Sequence, residues 1–261
     1  MTPDVRLLQI SDPHLFGNPN GRLRGLETLA SMQRVLTHAT SRRQNFDAVL
    51  CTGDLVNDDA GGYAHFVREL TPLGKPVYCV PGNHDDAVLM RRALSTSPFQ
   101  VGGYVDLGSA WRVVLVDSCI PGKAGGRISR YELRALQAAL VVSDRFAMVC
   151  MHHHPVNMSS NWLDAVGIEN ADEFFSIVDA HSRVRLVIWG HVHQSFDGRR
   201  HGVRLLGTPS TCTQFLPLSN DFAVDARPPA YRRLILQSDG TVETEVVWVE
   251  EAADTLASAS G

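Results

Sequence analysis

The feature that most constrains the fold is a repeated pattern in which a short apolar run ends abruptly in Asp, Asn or His. Five runs do so: RLLQI before SDPH, AVLC before TGD, VYCV before PGNHD, AMVCM before HHHP, and VRLVIW before GHVH. Each run is rich in Val, Ile and Leu and is closed by Gly, Pro or Asp, which favours buried strands over helices. The pattern therefore predicts that these polar clusters lie at the C-terminal ends of strands.

Helical patterns separate the apolar runs. Helical spacing of apolar residues extends over positions 26–39 and 63–70. Two further helices are predicted from residue pairs spaced for a capping box: Ser129 with Glu132, and Asn170 with Glu173. Strands that alternate with helices predict βα units with largely parallel pairing, and open sheets of this kind bind ligands at the carboxyl ends of their strands.

The C-terminal part of the chain has a different pattern. The segments VRLLGTPSTC and YRRLILQSDGTVETEVVWV are typical of strands, and the second contains a hairpin turn at Ser238, Asp239 and Gly240. We expect these strands to add antiparallel pairs to the sheets. With 261 residues, of which 44% are hydrophobic, the chain is expected to form one α/β domain over residues 1–250. Residues 251–261 are small and polar, and we expect a disordered tail there.

Composition and charge exclude some classes of function. The formal net charge is -4 and there is no basic run, so nucleic-acid binding is not predicted. The N-terminus lacks a signal-peptide pattern and no apolar stretch reaches about 18 residues, so neither export nor a membrane partner is predicted. The five cysteines form no CxxC motif, which is typical of reduced thiols in a cytoplasmic protein.

The polar clusters contain the residue types that bind divalent metals. Carboxylates, carboxamides and imidazoles suit such ions, and a two-metal site needs one shared ligand and several terminal ones. On an extended segment residues i and i+2 point the same way, so Asp12 can converge with His14, and His191 with His193. Any single pair could instead cap a turn, but five clusters at strand ends together indicate a metal site.

The motifs resemble the calcineurin-like metallophosphoesterase superfamily in type and order. They are D-x-H at 12–14, G-D at 53–54, G-N-H-D at 82–85, H-x-x-P at 152–155 and G-H-x-H at 190–193. The resemblance implies two stacked mixed β-sheets flanked by helices, a four-layer αββα sandwich, with a dinuclear metal centre at the strand ends. It also implies two ligand sets bridged by Asp54: Asp12, His14 and His193 for one metal, and Asn83, a triplet histidine and His191 for the other.

The histidine triplet requires a choice of register. Anchoring H-x-x-P on Pro155 makes His152 the ligand. On an extended backbone His154 would share the face of His152 and point toward the substrate, whereas His153 would pack or form hydrogen bonds behind. The sequence also allows the alternative in which His153 is the ligand.

The G-N-H-D motif contains the residue predicted to act in proton transfer. The resemblance implies that His84 contacts the scissile phosphate, and we expect it to protonate the departing oxygen. A histidine that only supports the ligands is the alternative. Asp85 could orient His84 or begin the next helix, and the sequence does not decide between these roles.

Further segments indicate the type of phosphoester. Related phosphoprotein phosphatases extend G-D to G-D-x-x-D-R, but residues 53–58 read GDLVND and lack the arginine that clamps a monoester dianion. LQISDPHLF, NWLD and TPSTCTQF resemble the bacterial class III cyclic-nucleotide phosphodiesterases over nearly the whole chain. The resemblance implies hydrolysis of a 3',5'-cyclic nucleotide, foremost cyclic AMP to AMP, by a metal-bridging hydroxide.

The same resemblance indicates the substrate contacts and cofactors. The predicted contacts are Asn83, His84, His154 and Trp162, with the indole either stacking on a base or only anchoring a loop. The expected cofactors are two divalent or mixed-valence ions of iron, manganese, zinc or cobalt. Two alternative functions remain open: hydrolysis of another small diester, such as a 2',3'-cyclic nucleotide or a glycerophosphodiester, and a non-catalytic scaffold role. The sequence is also compatible with a homodimer.

Overall fold

The computed structural model describes residues 3–41 and 45–250. The helices in these ranges are α1 (Thr28–Ser41), α2 (Gly62–Leu70), α3 (Ala87–Ala93), α4 (Arg130–Val141), α5 (Asn161–Asp164) and α6 (Ala171–Asp179), with a 3-10 turn at Thr71–Leu73. The strands are β1 (Val5–Ile10), β2 (Arg22–Leu23), β3 (Leu26–Glu27), β4 (Ala48–Cys51), β5 (Val77–Cys79), β6 (Phe99–Val101), β7 (Gly103–Leu107), β8 (Trp111–Leu115), β9 (Phe146–Cys150), β10 (Val184–Trp189), β11 (Phe196–Arg200), β12 (Val203–Gly207), β13 (Gln214–Phe215), β14 (Val224–Asp225), β15 (Ala230–Leu236) and β16 (Val242–Trp248). The tail predicted at 251–261 lies outside the described residues, and the single domain stays a prediction.

The longer strands form two six-stranded mixed sheets. The first has the order β16-β15-β1-β4-β5-β6, with β1, β4, β5 and β6 parallel to one another. The second has the order β11-β12-β10-β9-β8-β7, with parallel pairing from β12 through β8 and antiparallel strands at both edges. All five predicted buried strands are confirmed in these parallel regions.

Three separate apolar clusters show that the molecule has four layers. Successive side chains of a strand point to opposite faces, so each sheet contributes to two clusters. The middle cluster lies between the sheets and includes Leu7 of β1 and Ile188 of β10. The outer clusters cover the other faces: one joins Leu8 to α1 and α2, and the other joins Val187 to α4 and α6. The predicted αββα sandwich is therefore confirmed.

The C-terminal strands depart from the prediction at one place. β15 and β16 form the expected antiparallel hairpin, and β15 pairs antiparallel with β1. However, β12 pairs parallel with β10 and antiparallel only with β11. This parallel pairing was not predicted: β11 occupies the outer edge and reverses the chain, so β12 returns in the direction of β10.

The predicted helices form, with different starts. The first begins at Thr28 rather than at residue 26, because Leu26 and Glu27 belong to β3. Ser129 caps α4 by accepting a hydrogen bond from Glu132 N at 3.1 Å. The capping prediction is wrong at Asn170, whose carboxamide instead accepts from Ile128 N and donates to Ile128 O, at 3.0 Å each.

The fold determines where the polar clusters meet. The C-terminal ends of β1, β4 and β5 in one sheet and of β9 and β10 in the other face the same end of the sandwich. Among the described helices, none has both the length and the apolar character required to cross a bilayer.

Candidate metal centre

The predicted ligands lie in loops that follow five parallel strands. Asp12 and His14 follow β1, Asp54 follows β4, Asn83 follows β5, His152 follows β9, and His191 and His193 follow β10. All of these side chains are buried except that of Asn83, which is half-buried. The structure thus brings every predicted metal ligand to one place between the ends of the two sheets.

Close backbone contacts hold the first loops together. Asp12 N donates to Gly53 O at 3.1 Å, and His14 N donates to Asp54 O at 3.0 Å. The loop after β5 lies so near that a Cβ on Gly82 would overlap the carboxylate of Asp54. Glycine is therefore required at position 82, which explains the first letter of the G-N-H-D motif.

The backbone of the ligand loops is not extended. Asp12, His14, Asp54, His191 and His193 have φ between 47° and 63°. This left-handed region is uncommon for residues other than glycine, and such outliers concentrate at functional sites. Asp12 and His14 do converge in one group, whereas His191 and His193 belong to different groups, and the extended backbone assumed in the prediction is wrong.

Asp12, His14 and His193 form one compact group beside Asp54. His14 Nε2 lies 3.1 Å from His193 Nε2 and 3.7 Å from Asp54 Oδ2. His193 Nε2 lies 3.4 Å from Asp12 Oδ1. Burial lowers the pKa of His14 to about 4, so its ring is neutral at pH 7, the form in which imidazole binds metals.

Asn83, His152 and His191 form a second group on the other side of Asp54. His152 Nε2 lies 3.1 Å from Asn83 Oδ1, 3.2 Å from His191 Nδ1 and 3.4 Å from Asp54 Oδ2. Burial acts to lower the pKa of His152, but the carboxylates of Asp54 and Asp12 and the carbonyl of Thr52 together raise the pKa to about 9. Asp54 Oδ2 is thus close to both groups, which is the place that a shared ligand would occupy.

Hydrogen bonds distinguish His152 from His153. His152 Nδ1 donates to Thr52 O at 2.7 Å, so Nε2 is the nitrogen that faces the group. In His153 both nitrogens are engaged: Nε2 donates to Ala124 O at 3.2 Å, and Nδ1 accepts from Ser118 Oγ at 2.9 Å. His153 lies close to His191 and His152 but has no free lone pair, and this geometry supports His152 as the ligand.

Two predicted substrate contacts lie beside the groups rather than within them. His154 stacks on His191, with ring centroids 5.6 Å apart and an interplanar angle of 19°. His154 is only 2% exposed. Trp162 packs edge-on against Phe215 and Phe222, with centroids 5.2 and 5.1 Å away. This packing supports the loop-anchoring alternative for Trp162, and contact with substrate stays a prediction for both residues.

His84 lies at the open side of the centre. Its backbone N donates to Asp54 Oδ1 at 2.8 Å, and its Nδ1 donates to Asp58 Oδ2 at 2.7 Å. Burial acts to lower the pKa of His84, but the carboxylates of Asp54 and Asp58 together raise it above the ordinary value. Sequence reasoning missed Asp58, although its position four residues after Asp54 was a usable signal.

Asp85 has a role that neither predicted alternative described. Its carboxylate accepts from Gly82 N at 2.9 Å, Leu55 N at 3.1 Å, Val56 N at 3.3 Å and Tyr63 Oη at 3.0 Å. Asp86, not Asp85, caps α3. Asp85 therefore ties the G-N-H-D loop to the G-D loop, and does not contact His84 through its carboxylate.

The segment between β12 and β13 supports the first group. His193 Nδ1 donates to Thr213 O at 2.6 Å, and Ser210 Oγ donates to Asp12 O at 2.7 Å. Phe215 stacks on His193 with ring centroids 4.0 Å apart and an interplanar angle of 6°. These contacts fix the ring so that Nε2 faces the group, a role that no local sequence signal identified beyond the resemblance of TPSTCTQF.

The donor set fits two metal ions. In the ion pairs of the described residues, the buried carboxylates of Asp12 and Asp54 contact histidines but no Lys or Arg. Two buried carboxylates without a Lys or Arg partner are costly, and a bound cation is one way in which proteins offset that cost. Oxygen and imidazole ligands of this type accept several divalent transition metals.

The fold and the site define the class of protein. The chain belongs to the calcineurin-like phosphoesterase family, whose model matches residues 5–195. Similar proteins indicate a narrower class within this family. The chain is 39% identical over 249 residues to the 3',5'-cyclic adenosine monophosphate phosphodiesterase CpdA of Pseudomonas aeruginosa, and the alignment covers 95% of this chain and 91% of that protein. It is 36% identical over 244 residues to the phosphodiesterase of the same name from Escherichia coli K12, covering 93% and 89%.

Solved structures with low sequence identity share the fold. A dimetal phosphatase from Danio rerio aligns over 95% of this chain and 100% of its own, with a TM-score of 0.67 and 14% identity. GAP50, described as the anchor in the inner membrane complex of Plasmodium, aligns over 97% and 87%, with a TM-score of 0.63 and 11% identity. Since one of these is a phosphatase and the other an anchor, the fold alone does not determine activity.

Proposed function

We propose that this protein is a metal-dependent phosphodiesterase that hydrolyses 3',5'-cyclic nucleotides, with cyclic AMP as its main substrate and AMP as the product. The observation that carries the proposal is the pair of ligand groups joined at Asp54, with His84 at their open side. The similarity to cyclic AMP phosphodiesterases over nearly the whole chain supports the choice of substrate. The cofactors proposed are two divalent or mixed-valence ions of iron, manganese, zinc or cobalt.

The residues of the two groups would divide the work of binding the metals. Asp12, His14 and His193 would hold one ion, Asn83, His152 and His191 the other, and Asp54 both. When bound, two such ions supply a water of lowered pKa and neutralise charge on the phosphoryl oxygens. The hydrogen bonds from His152 to Thr52 O and from His193 to Thr213 O present the Nε2 atom of each ring to its ion.

His84 would supply the proton that the departing ribose oxygen needs. Its Nδ1 is held by Asp58, so the other ring nitrogen is directed away from that bond, and the side chain is 35% exposed. The carboxylates of Asp54 and Asp58 raise the pKa of His84, which favours the protonated form that a general acid requires. Both the position and the protonation state therefore suit donation to a poor leaving group.

The surroundings of His84 favour a diester over a monoester. A cavity of about 540 Å³ opens beside His84 and Asn83, and none of the described residues that line it is Lys or Arg. Five of its lining residues are aspartates: Asp58, Asp59, Asp85, Asp86 and Asp117. A phosphomonoester dianion or a polyphosphate would meet repulsion here, whereas a cyclic diester has one negative charge and a nucleoside that can enter the cavity.

The proposal is tested by comparing substrates on the metal-loaded protein. We expect kcat/KM to be highest for 3',5'-cyclic AMP, lower for 2',3'-cyclic AMP and glycerophosphodiesters, and lowest for a phosphomonoester. A higher kcat/KM on a different diester would show that cyclic AMP is not the main substrate, but the proposal of a metal-dependent phosphodiesterase would still hold. Absence of turnover on every ester with both metals bound would support the scaffold alternative instead.

A further inference from the structure

Arg232 is a buried cation whose hydrogen bonds, within the described part of the chain, reach no carboxylate. It lies on β15, is 3% exposed, and donates from Nε to Thr208 Oγ1 at 3.0 Å, from Nη1 to Thr244 Oγ1 at 3.1 Å and from Nη2 to Gly207 O at 2.8 Å. Asp197, which favours its charge, pairs with Arg204 instead. Burial lowers the pKa of Arg232 to about 10, so it is still charged at neutral pH.

A continuous series of buried hydrogen bonds starts at Arg232. Thr208 Oγ1 donates to Gln9 Oε1 at 2.7 Å, Gln9 Nε2 donates to Thr52 Oγ1 at 3.0 Å, and Thr52 Oγ1 donates to Ser11 Oγ at 2.6 Å. Ser11 Oγ then contacts Thr52 O at 3.4 Å. Each of these four intermediate residues is fully buried. We call this series the Arg232 chain.

The guanidinium determines the direction of the Arg232 chain. A guanidinium can only donate, so Thr208 must accept from it and direct its own proton to Gln9. That contact selects the carbonyl oxygen of Gln9, which leaves the amide nitrogen of Gln9 to donate to Thr52. Without a fixed donor at the start, each hydroxyl could turn and the carboxamide could flip.

The other end of the Arg232 chain is the carbonyl that holds His152. Thr52 O accepts from His152 Nδ1 at 2.7 Å, the shortest contact that this carbonyl makes with a side chain. Partners of this kind determine which nitrogen of a histidine binds a metal and how the ring is oriented. Arg232 is therefore linked, through five buried polar contacts, to the carbonyl that holds His152 of the second ligand group.

We propose that Arg232 is a positioning residue for the metal centre: by fixing the direction of the Arg232 chain, it holds Thr52 O and His152 in the geometry that binds the second metal. The inference depends on the proposed metal centre but not on the substrate. The alternative is that the hydrogen bonds of Arg232 only hold β15 and β16 against β12 and the residue that follows it. Such a role alone would stabilise the fold without affecting one metal more than the other.

Calorimetric titration of the metal-free protein with Mn²⁺ separates these possibilities. Arg232→Met removes every donor, and Thr208→Val keeps the arginine but breaks the Arg232 chain with almost no change in shape. We expect each variant to weaken one of the two binding steps by about 10- to 100-fold and to leave the other within about twofold. Arg232→Lys, which restores a donor-only group, should recover most of that loss.

Thr244→Val is the matched control, because it removes another partner of Arg232 on the side away from the metals. It should leave both binding steps unchanged. The inference is overturned if Thr208→Val binds both ions as tightly as the wild type, or if Arg232→Met loses thermal stability with both affinities intact. Since Thr208→Val is the smaller change, it decides the matter even if Arg232→Met does not fold. Wild-type protein that binds two ions but hydrolyses no cyclic nucleotide would refute the proposed function and not this inference.

Discussion

His84 differs from the neighbouring histidines in what surrounds its ring. His14 faces His193 at 3.1 Å and Asp54 at 3.7 Å, and His152 faces Asp54 at 3.4 Å, whereas the ring of His84 is held by Asp58 at the solvent side. Its role in proton transfer can be separated from that of the ligands by changing the leaving group. A ribose alkoxide needs a proton as it departs, but a nitrophenolate does not.

His84→Ala should lose about 100- to 10,000-fold in kcat on cyclic AMP and much less on a nitrophenyl phosphodiester, because general-acid help matters only for the poor leaving group. Metal content should be unchanged, since Asn83 and not His84 is the proposed ligand. The measurement is steady-state kinetics on both substrates with metal analysis of the same sample. Equal losses on both would mean that His84 stabilises the phosphoryl oxygens instead.

Asp58→Asn should change the pH dependence of the same reaction. A general acid acts in its protonated form, so the rate on cyclic AMP falls as pH rises through the pKa of His84. Asp58 raises that pKa, and removing its charge lowers it. The alkaline decline in kcat/KM should therefore begin at lower pH in the variant, and Asp59→Asn provides a control on the same loop. An unshifted profile for Asp58→Asn would show that Asp58 does not act on His84.

The histidine triplet allows a direct test of register. His152→Ala should lose affinity for one metal, because its Nε2 faces Asn83 and Asp54. His153→Ala should keep both metals, because Ser118 and Ala124 already occupy its nitrogens. His154→Ala should mainly affect substrate handling. Metal analysis of His152→Ala and His153→Ala decides the register, and kcat/KM on cyclic AMP tests His154→Ala. Metal loss in His153→Ala with retention in His152→Ala would reverse the assignment.

Among the elements, the strands were predictable and the loops were not. Apolar runs closed by Gly, Pro or Asp located β1, β4, β5, β9 and β10, since a doubly covered strand must be apolar throughout. Conversely, neither the left-handed φ of the ligand loops nor the close approach of Gly82 to Asp54 is encoded in a local sequence pattern. Asn170 does not cap α6 through its side chain because its carboxamide forms hydrogen bonds with the backbone of Ile128, which is distant in sequence.

The metal ligands could be predicted from the sequence, but the groups that form hydrogen bonds to those ligands could not. The proposed metal ligands are Asp, Asn and His side chains in short motifs, so their residue types and spacing are visible in one sequence. The groups that hold them are backbone carbonyls, as at Thr52 and Thr213, which any residue type can provide. The contacts of Asp85 with three backbone N–H groups were invisible for the same reason.

Asp85→Asn should destabilise the loops after β4 and β5. Each carboxylate oxygen of Asp85 faces donors, so the amide NH₂ of asparagine would point at an N–H group and leave it unpaired. The cost is about 1–3 kcal/mol, measurable by urea denaturation. Asp86→Asn is the control: one oxygen, Oδ1, accepts from both Val88 N and Leu89 N, and asparagine retains an oxygen for this. Equal stability of the two variants would contradict the bridging role of Asp85.

At the scale of the whole molecule, the stacking of two sheets makes the site. One sheet supplies Asp12, His14, Asp54 and Asn83, and the other supplies His152, His191 and His193. Neither sheet alone has the ligands for two ions, so the proposed activity requires the complete sandwich. Asp54 is close to both groups, so the proposed two-metal site depends on this residue more than on any other ligand.

The most direct test of the central claim is the rate of AMP formation from 3',5'-cyclic AMP as metal-free protein is titrated with Mn²⁺, in the wild type and in Asp54→Ala. We expect no AMP from the metal-free wild type, a rate that rises until two ions are bound per chain, and no recovery in Asp54→Ala, which should bind less metal. Full turnover by the metal-free wild type, or an Asp54→Ala protein with both ions and a normal rate, would contradict it.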